Sequence, residues 1–234
     1  MGYSRKEEIA RVKRERREAK AAKKREEGTR ELKVRFLIVC EGKKTEPYYF
    51  EALVDANSSA VREVNIEGEG KATTVLVDQA QEIREELELK NKTRFDRVWI
   101  VFDKDSFPDF NKAIAKAKRL GMQTAWTNEA FELWYYLHFE YLDTAIGRHE
   151  YLSRLRDFIK KRTGNNNFWY QKGSRDNYQL ITTYGDEEVA KRHAKQLRGM
   201  YRDTNYAAHN PCTMVDLLVE ELEHPEKLLE DDLR

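Results

Sequence analysis

The sequence predicts an α/β protein: an open, mainly parallel sheet flanked by helices, with a basic N-terminal arm before it and a mostly helical C-terminal appendage after it. Three observations lead there. Runs such as VRFLIVC (residues 34–40) and DRVWIVFD (residues 96–103) are continuous, apolar and β-branched, as in strands buried on both faces. Strand-like and helix-like segments alternate four times between residues 34 and 145. Beyond Asp143 the strand signal stops and polar amphipathic segments take over. The expected boundaries are 1–33 for the arm, 34–145 for the α/β core and 146–234 for the helical part. The roughly 200 residues after the arm suffice for one buried core and an appendage, not for two large domains.

Each element has its own justification. Residues 1–32, as in RVKRERREAKAAKKREE from Arg11, mix charges and lack an apolar stripe, so they cannot bury enough surface to fold alone. VRFLIVC is the first strand. EGKKTEPYYFEALVDAN then forms a helix, with Thr45 as the expected N-cap and Pro47 early enough that its missing N–H is harmless. Residues 61–66 alternate weakly and read as a second strand. Gly68 and Gly70 open a loop before a helix from about Thr73 to Lys90, whose Leu76, Ala80, Ile83 and Leu87 share one side. DRVWIVFD is the third strand; a helix from about Asp109 to Leu120, closed by Gly121, leads to a short fourth strand, Met122 to Trp126. Glu129 to Leu142 is apolar nearly all round, which predicts a largely buried helix. Residues 148–163 and 186–203 are polar amphipathic helices separated by GNNNFWYQKGSRDNY, and NPCTMVDLLVEEL from Asn210 places a Pro and a Thr cap before an apolar helical face.

Composition narrows the function classes. The 234 residues carry 43 Lys and Arg against 42 Asp and Glu, a net charge of +1, so the total argues for no polyanion partner. Met1–Arg35 alone holds 14 basic and 7 acidic residues, leaving the rest at −6. The arm is thus the one broad polyanion footprint: a solvated extension held by i,i+4 charge pairs, or a segment that orders on nucleic acid. The start has no apolar run of signal-peptide length and no stretch matches a membrane span, so a cytoplasmic protein without a membrane partner is expected. Two cysteines, Cys40 and Cys212, cannot build a disulfide framework or a four-thiolate zinc site.

In open parallel sheets, ligands bind beyond the carboxyl ends of the strands, near the switch point in strand order. The first strand ends in Val39, Cys40, Glu41, Gly42 and the third in Phe102, Asp103, Lys104, Asp105. Asp103 and Asp105 share a face in extended geometry, so two carboxylates can converge on one cation beside Glu41; such oxygen ligands suit Mg²⁺ or Mn²⁺. The plainer account is that these acids are loop residues or helix caps. Glu132 stands in the first turn of an apolar helix, where either the helix dipole favours an acid or the side chain faces the cleft. Glu129 already supplies an exposed acid there, which favours the cleft. Lys172 lies among Trp169, Tyr170 and Arg175 in a polar loop, either solvated or poised to stabilise phosphate charge. His138 reads as a hydrogen-bonded core histidine. GEGKATT fails as a phosphate loop, since Asn65 and Ala72 stand where glycine and a hydroxyl are needed. VFDKDS follows the third strand, whereas a dehalogenase-type nucleophile motif follows the first.

FLIVCEGKKTEPYYF, VWIVFDKD, NEAFELWYYLHFE, YQKG near residue 170 and NPCT near residue 210, in that order, resemble the RloB-like family from Val34 to about Leu222. The resemblance implies a Toprim-like core, akin to those of topoisomerases, primases and OLD-type nucleases, and a Mg²⁺-dependent nuclease of prokaryotic defence loci, often encoded near restriction genes or beside an ATPase partner. Carried over, Glu41 is a general acid or base and metal ligand, Asp103 and Asp105 are metal ligands, and Glu132 and Lys172 are catalytic. Ser106 replaces a further acid common in the family, which puts a second metal in doubt. The resulting expectation is a nuclease acting on RNA, tRNA included, or on DNA in anti-phage defence. The alternative is a non-catalytic nucleic-acid-binding or ATPase-partner subunit of a defence complex. An ATPase partner and a homo-oligomer are both left open.

Overall fold

Every residue of VRFLIVC is buried, because successive side chains of a strand point to opposite faces and both faces are covered here. The computed structural model describes residues 33–57, 62–68, 73–104 and 108–231. The arm and the Gly70 loop lie outside these residues. Four strands, β1 (Val34–Cys40), β2 (Arg62–Gly68), β3 (Arg97–Lys104) and β4 (Gln123–Asn128), form one parallel sheet in the order β2-β1-β3-β4. The protein is therefore α/β with a parallel sheet.

The connecting helices are α1 (Thr45–Ala56), α2 (Thr73–Asn91) and α3 (Phe110–Arg119). After β4 come α4 (Glu132–Leu137), α5 (Arg148–Thr163), α6 (Asn177–Tyr184), α7 (Glu187–Gly199), α8 (Val215–Glu223) and α9 (Glu226–Asp231). Phe36, Ile38 and Cys40 point into one apolar cluster with Tyr49, Phe50 and Leu53 of α1. Leu37 and Val39 point into the other with Leu76, Val77 and Ala80 of α2 and Phe110 and Ala113 of α3. Tyr151, Leu155, Ile181, Ala190 and Leu218 belong to the first cluster, so α5 to α8 complete the layer that α1 begins. Residues from Val34 onward cluster as one compact unit.

The chain leaves β1 toward β2 on one side and returns across it to β3 and β4 on the other. The switch point thus falls between β1 and β3, which pair from Phe36 with Arg97 to Cys40 with Val101. At the β4 edge, Met214 donates its N–H to Trp126 O (2.9 Å) and Asn128 to Cys212 O (2.9 Å), so the NPCT segment covers that side. Met214, not Thr213, is the N-cap of α8, and Thr213 Oγ1 accepts the Val215 N–H at 3.2 Å from one residue further out.

Three other elements differ from the sequence expectation. Thr45 is the first helical residue of α1, with Lys44 preceding it and no side-chain cap. The helix expected over 129–142 shrinks to Glu132–Leu137. Its length is cut by tertiary partners: His193 Nδ1 donates to Leu137 O (2.9 Å) and Asp186 N–H to His138 O (2.9 Å), so these carbonyls do not need a further helical turn. Helix α6 falls where the sequence pattern predicts no element; it is short and rich in Thr and Tyr, and its hold is tertiary, through Ile181 in the core and the Tyr178 ring 5.4 Å from that of Tyr49. His138 is the expected core histidine, its Nδ1 2.9 Å from Trp134 O and its ring pushed down to about 4, chiefly by burial. No helix among the described residues is long and apolar enough to cross a membrane.

Candidate active site

β1 and β3 deliver their acids to one place. Asp103 donates its backbone N–H to Glu41 Oε2 at 3.1 Å, while Glu41 N–H bonds to Val101 O at 2.8 Å, extending the β1–β3 ladder by one rung. Cys40 pairs with Val101 in parallel, so the residues that follow each come out at the same edge of the sheet. Asp105 and Ser106, which bear on the remaining ligand and on a second metal, lie outside the described residues.

Glu132 reaches the same edge by a different route. β4 ends at Asn128, whose Nδ2 donates to His209 O at 2.7 Å, and Glu129 then takes a left-handed φ of 68°. That conformation costs a non-glycine residue about 1 kcal/mol or more. Arg148 Nη2 holds it by donating to Glu129 O at 2.8 Å. The turn brings α4 back under the strand ends and leaves Glu132 with 0% of its surface exposed. Lys172 Nζ lies 3.4 Å from Oε1 and 3.5 Å from Oε2 of Glu132, with hydrogen-bond geometry to Oε2 alone. Oε1 is buried without a hydrogen-bond partner. The Lys172 ammonium beside Glu132 explains why an acid sits in an otherwise apolar helix.

The loop before α6 is what presents Lys172. Tyr170 is buried and its hydroxyl accepts from Asn177 Nδ2 at 3.3 Å, while Asn177 Nδ2 also donates to Gln171 O at 3.1 Å. Gly173, at φ 70°, lies so close to α1 that a Cβ would stand 3.2 Å from Lys44 Cβ. Arg175 donates to Glu51 Oε2 at 2.8 Å and its guanidinium stacks 3.9 Å from the Tyr48 ring centre. Both partners belong to α1, so the lysine loop is fastened to the helix that follows β1.

Glu46 is a member of the cluster that sequence reasoning missed. It lies in the first turn of α1 and is 6% exposed. Its carboxylate occupies the space where a side chain of Gly42 would be: a Cβ there would collide with Glu46 Oε2 and stand 2.8 Å from its Cδ. Burial, then the charges of Glu132 and Glu41, push its carboxyl up to about 7, against the pull of its own backbone N–H and of Lys172. Asp103 keeps some solvent contact, yet desolvation is the largest cause raising its carboxyl well above the usual range, with Glu46, Glu132 and Glu41 adding to it and Lys172 opposing. The signal was available: Glu-Gly-x-x-x-Glu puts an acid one helical turn beyond a glycine that nothing else requires.

Four carboxylates and one lysine therefore act on one another at the switch point. Glu41, Glu46, Asp103 and Glu132 do not bring three ligand atoms within 4.8 Å of one another; the one group that does, among the described residues, is Glu220, Glu223 and His224. The acids of that group are already taken, Glu223 by Lys191 and Glu220 by Lys227, each at 2.5 Å. At the switch point an all-oxygen donor set, a Glu132 oxygen without a hydrogen bond, and carboxyls raised first by burial and then by one another's charge fit a hard divalent cation.

A model of the RloB-like protein family matches residues 36–222. The chain belongs to the RloB-like family. The match runs from within β1 to within α8 and so contains every residue of the cluster in this RloB-like protein. No curated protein and no solved structure matches the chain.

Proposed function

We propose that this RloB-like protein is a metal-dependent nuclease that hydrolyses phosphodiester bonds of RNA or DNA, in keeping with the Toprim-like core and anti-phage role that the family resemblance implies. One observation carries the reading: three desolvated acids, Glu46, Asp103 and Glu132, gather with Glu41 and a lysine, from the end of β1, α1, β3, α4 and a distant loop, at the switch point of a parallel sheet. Acids with no ligand to share would be better placed in water, since clustering raises their energy.

Glu41, Glu46 and Asp103, with Asp105 two residues further on in the sequence, would hold Mg²⁺ or Mn²⁺, which would supply Lewis-acid polarisation of the scissile phosphate. The protein's own groups account for the rest. Asp103 N–H holds one oxygen of Glu41, which aims the carboxylate that would take or return a proton. Lys172 sets a positive charge at the mouth of the cleft, where it neutralises charge growing on the phosphoryl oxygens. Glu132, fully buried, anchors that ammonium so that it need not be ordered during reaction.

The test is to incubate the purified full chain with tRNA, other RNA, single-stranded DNA and duplex DNA in Mg²⁺, Mn²⁺ or EDTA. Cleavage of at least one substrate with metal, none in EDTA, and a loss of roughly a hundredfold or more in Asp103→Asn with melting unchanged are expected. Undiminished cleavage by Asp103→Asn refutes the mechanism. Tight binding to nucleic acid or to an ATPase without turnover under every condition would point instead to a non-catalytic subunit.

A further inference from the structure

We propose that the cleft beside Lys172 is a slot for one unpaired nucleobase, with Trp169 as its stacking platform. The slot's placement next to the scissile phosphate rests on the nuclease reading, which it deepens by naming single-stranded or flipped-out nucleotides as what is recognised. A cavity of about 410 Å³ opens between α5 and the lysine loop, lined among others by His149, Ser153, Arg156, Trp169, Gln171 and Lys172. Its volume is in the range of pockets that enclose small ligands, and a nucleotide is of that size.

Its chemistry is selective. Trp99, Trp126 and Trp134 are buried, whereas Trp169 is 75% exposed, an indole face left in water at a cost that an aromatic ligand would remove. Arg156 stands with its guanidinium carbon 5.8 Å from the Trp169 ring centre, its plane held by Asp157 Oδ1 and Ser153 Oγ, each at 3.0 Å. None of the residues lining the cavity is a carboxylate, while Arg156 and Lys172 bring positive charge to its rim. An aromatic ligand that carries negative charge fits this lining, and a nucleotide is both. Ser153 and Gln171 add hydrogen-bonding groups on the wall.

Lys172 ties the slot to the acids. The residue that lines the cavity is the one whose Nζ lies 3.4 Å from Glu132 Oε1. A base stacked on Trp169 therefore leaves its neighbouring phosphate beside Lys172, facing the carboxylates. A base within duplex has both faces covered by its neighbours, so only an unpaired or extruded one can enter.

The experiment measures binding by the full chain in EDTA, which needs no turnover. Short RNA and DNA oligonucleotides of one sequence, each bearing a single 2-aminopurine, are titrated as single strands and as duplexes, with anisotropy and 2-aminopurine quenching recorded. Single strands should bind with quenching. Trp169→Ala should weaken that binding on the order of 5- to 150-fold, Trp169→Phe should restore most of it, and duplex binding should change little. Trp169 is exposed, so neither variant threatens the fold. The proposal is overturned if Trp169→Ala binds single strands as wild type does, if duplex and single strand lose equally, or if no single strand binds. A wild type that binds through Trp169 yet never cleaves leaves the slot standing and retires the nuclease reading. Cleavage that proceeds with Trp169→Ala equally tight and equally active does the reverse.

Discussion

Glu46→Gln should make the metal-free protein more stable at pH 8 and leave it nearly unchanged at pH 4.5. In the folded state the carboxyl of Glu46 is raised from its ordinary 4.5 to about 7. A raised folded value means that the native state holds a proton the unfolded chain has released. The stability contributed is complete below about pH 4.5 and is lost as pH rises through about 7. At 1.36 kcal/mol per unit, wild type loses about 3 kcal/mol across that window, and the amide, which cannot ionise, does not. Glutamine is nearly isosteric, so the space over Gly42 stays filled without a new cavity. In a unit of this size each kcal/mol moves the midpoint by roughly 2 to 4 °C, so the variant should melt roughly 6 to 12 °C above wild type at pH 8. Thermal unfolding followed by circular dichroism in EDTA, from pH 4.5 to 8.5, reads this directly. A difference between variant and wild type that stays flat across the range, or grows in favour of wild type as pH rises, would refute the placement of Glu46 among buried acids.

Further outcomes follow from the same geometry. Lys172→Met leaves the fully buried Glu132 without its counter-charge and should lower stability by about 1 to 3 kcal/mol at neutral pH, as read by urea unfolding. Adding Glu132→Gln should recover most of that loss, and a double-mutant cycle with no coupling would contradict the pairing. Gly42→Ala forces only the carboxylate end of Glu46 to yield, so it should cost under about 1 kcal/mol yet cut metal-dependent cleavage by about tenfold or more. Unchanged cleavage in that variant would show that Glu46 has no part in the site.

The strands were legible because a parallel strand buried on both faces leaves an uninterrupted apolar run; VRFLIVC has in the structure the bounds read from its sequence. Glu41 and Asp103 could be paired in advance because residues after neighbouring parallel strands share an edge. Which strands are neighbours is a matter of topology, and it is the order β2-β1-β3-β4 that brings those two together. Glu46 escaped notice since an acid in a first helical turn has an ordinary explanation in the helix dipole. Its burial shows only when Gly42 is seen beneath it. Helices α4 and α6 were misjudged for a common reason: their ends are set by His193, Asp186 and Tyr49, contacts distant in sequence that no local pattern records.

The fastening of the lysine loop onto α1 has a consequence for how the protein is born. A ribosome releases Glu41 and Glu46 early and Asp103 later, but Lys172 must emerge before it can stand against Glu132. Arg175, which clamps the loop to Glu51 and Tyr48, comes later still. On the nuclease reading, a nascent or prematurely ended chain carries the acids without the lysine and stays inert toward the cell's own nucleic acid. Arrival of the lysine loop is then the step that completes the cluster.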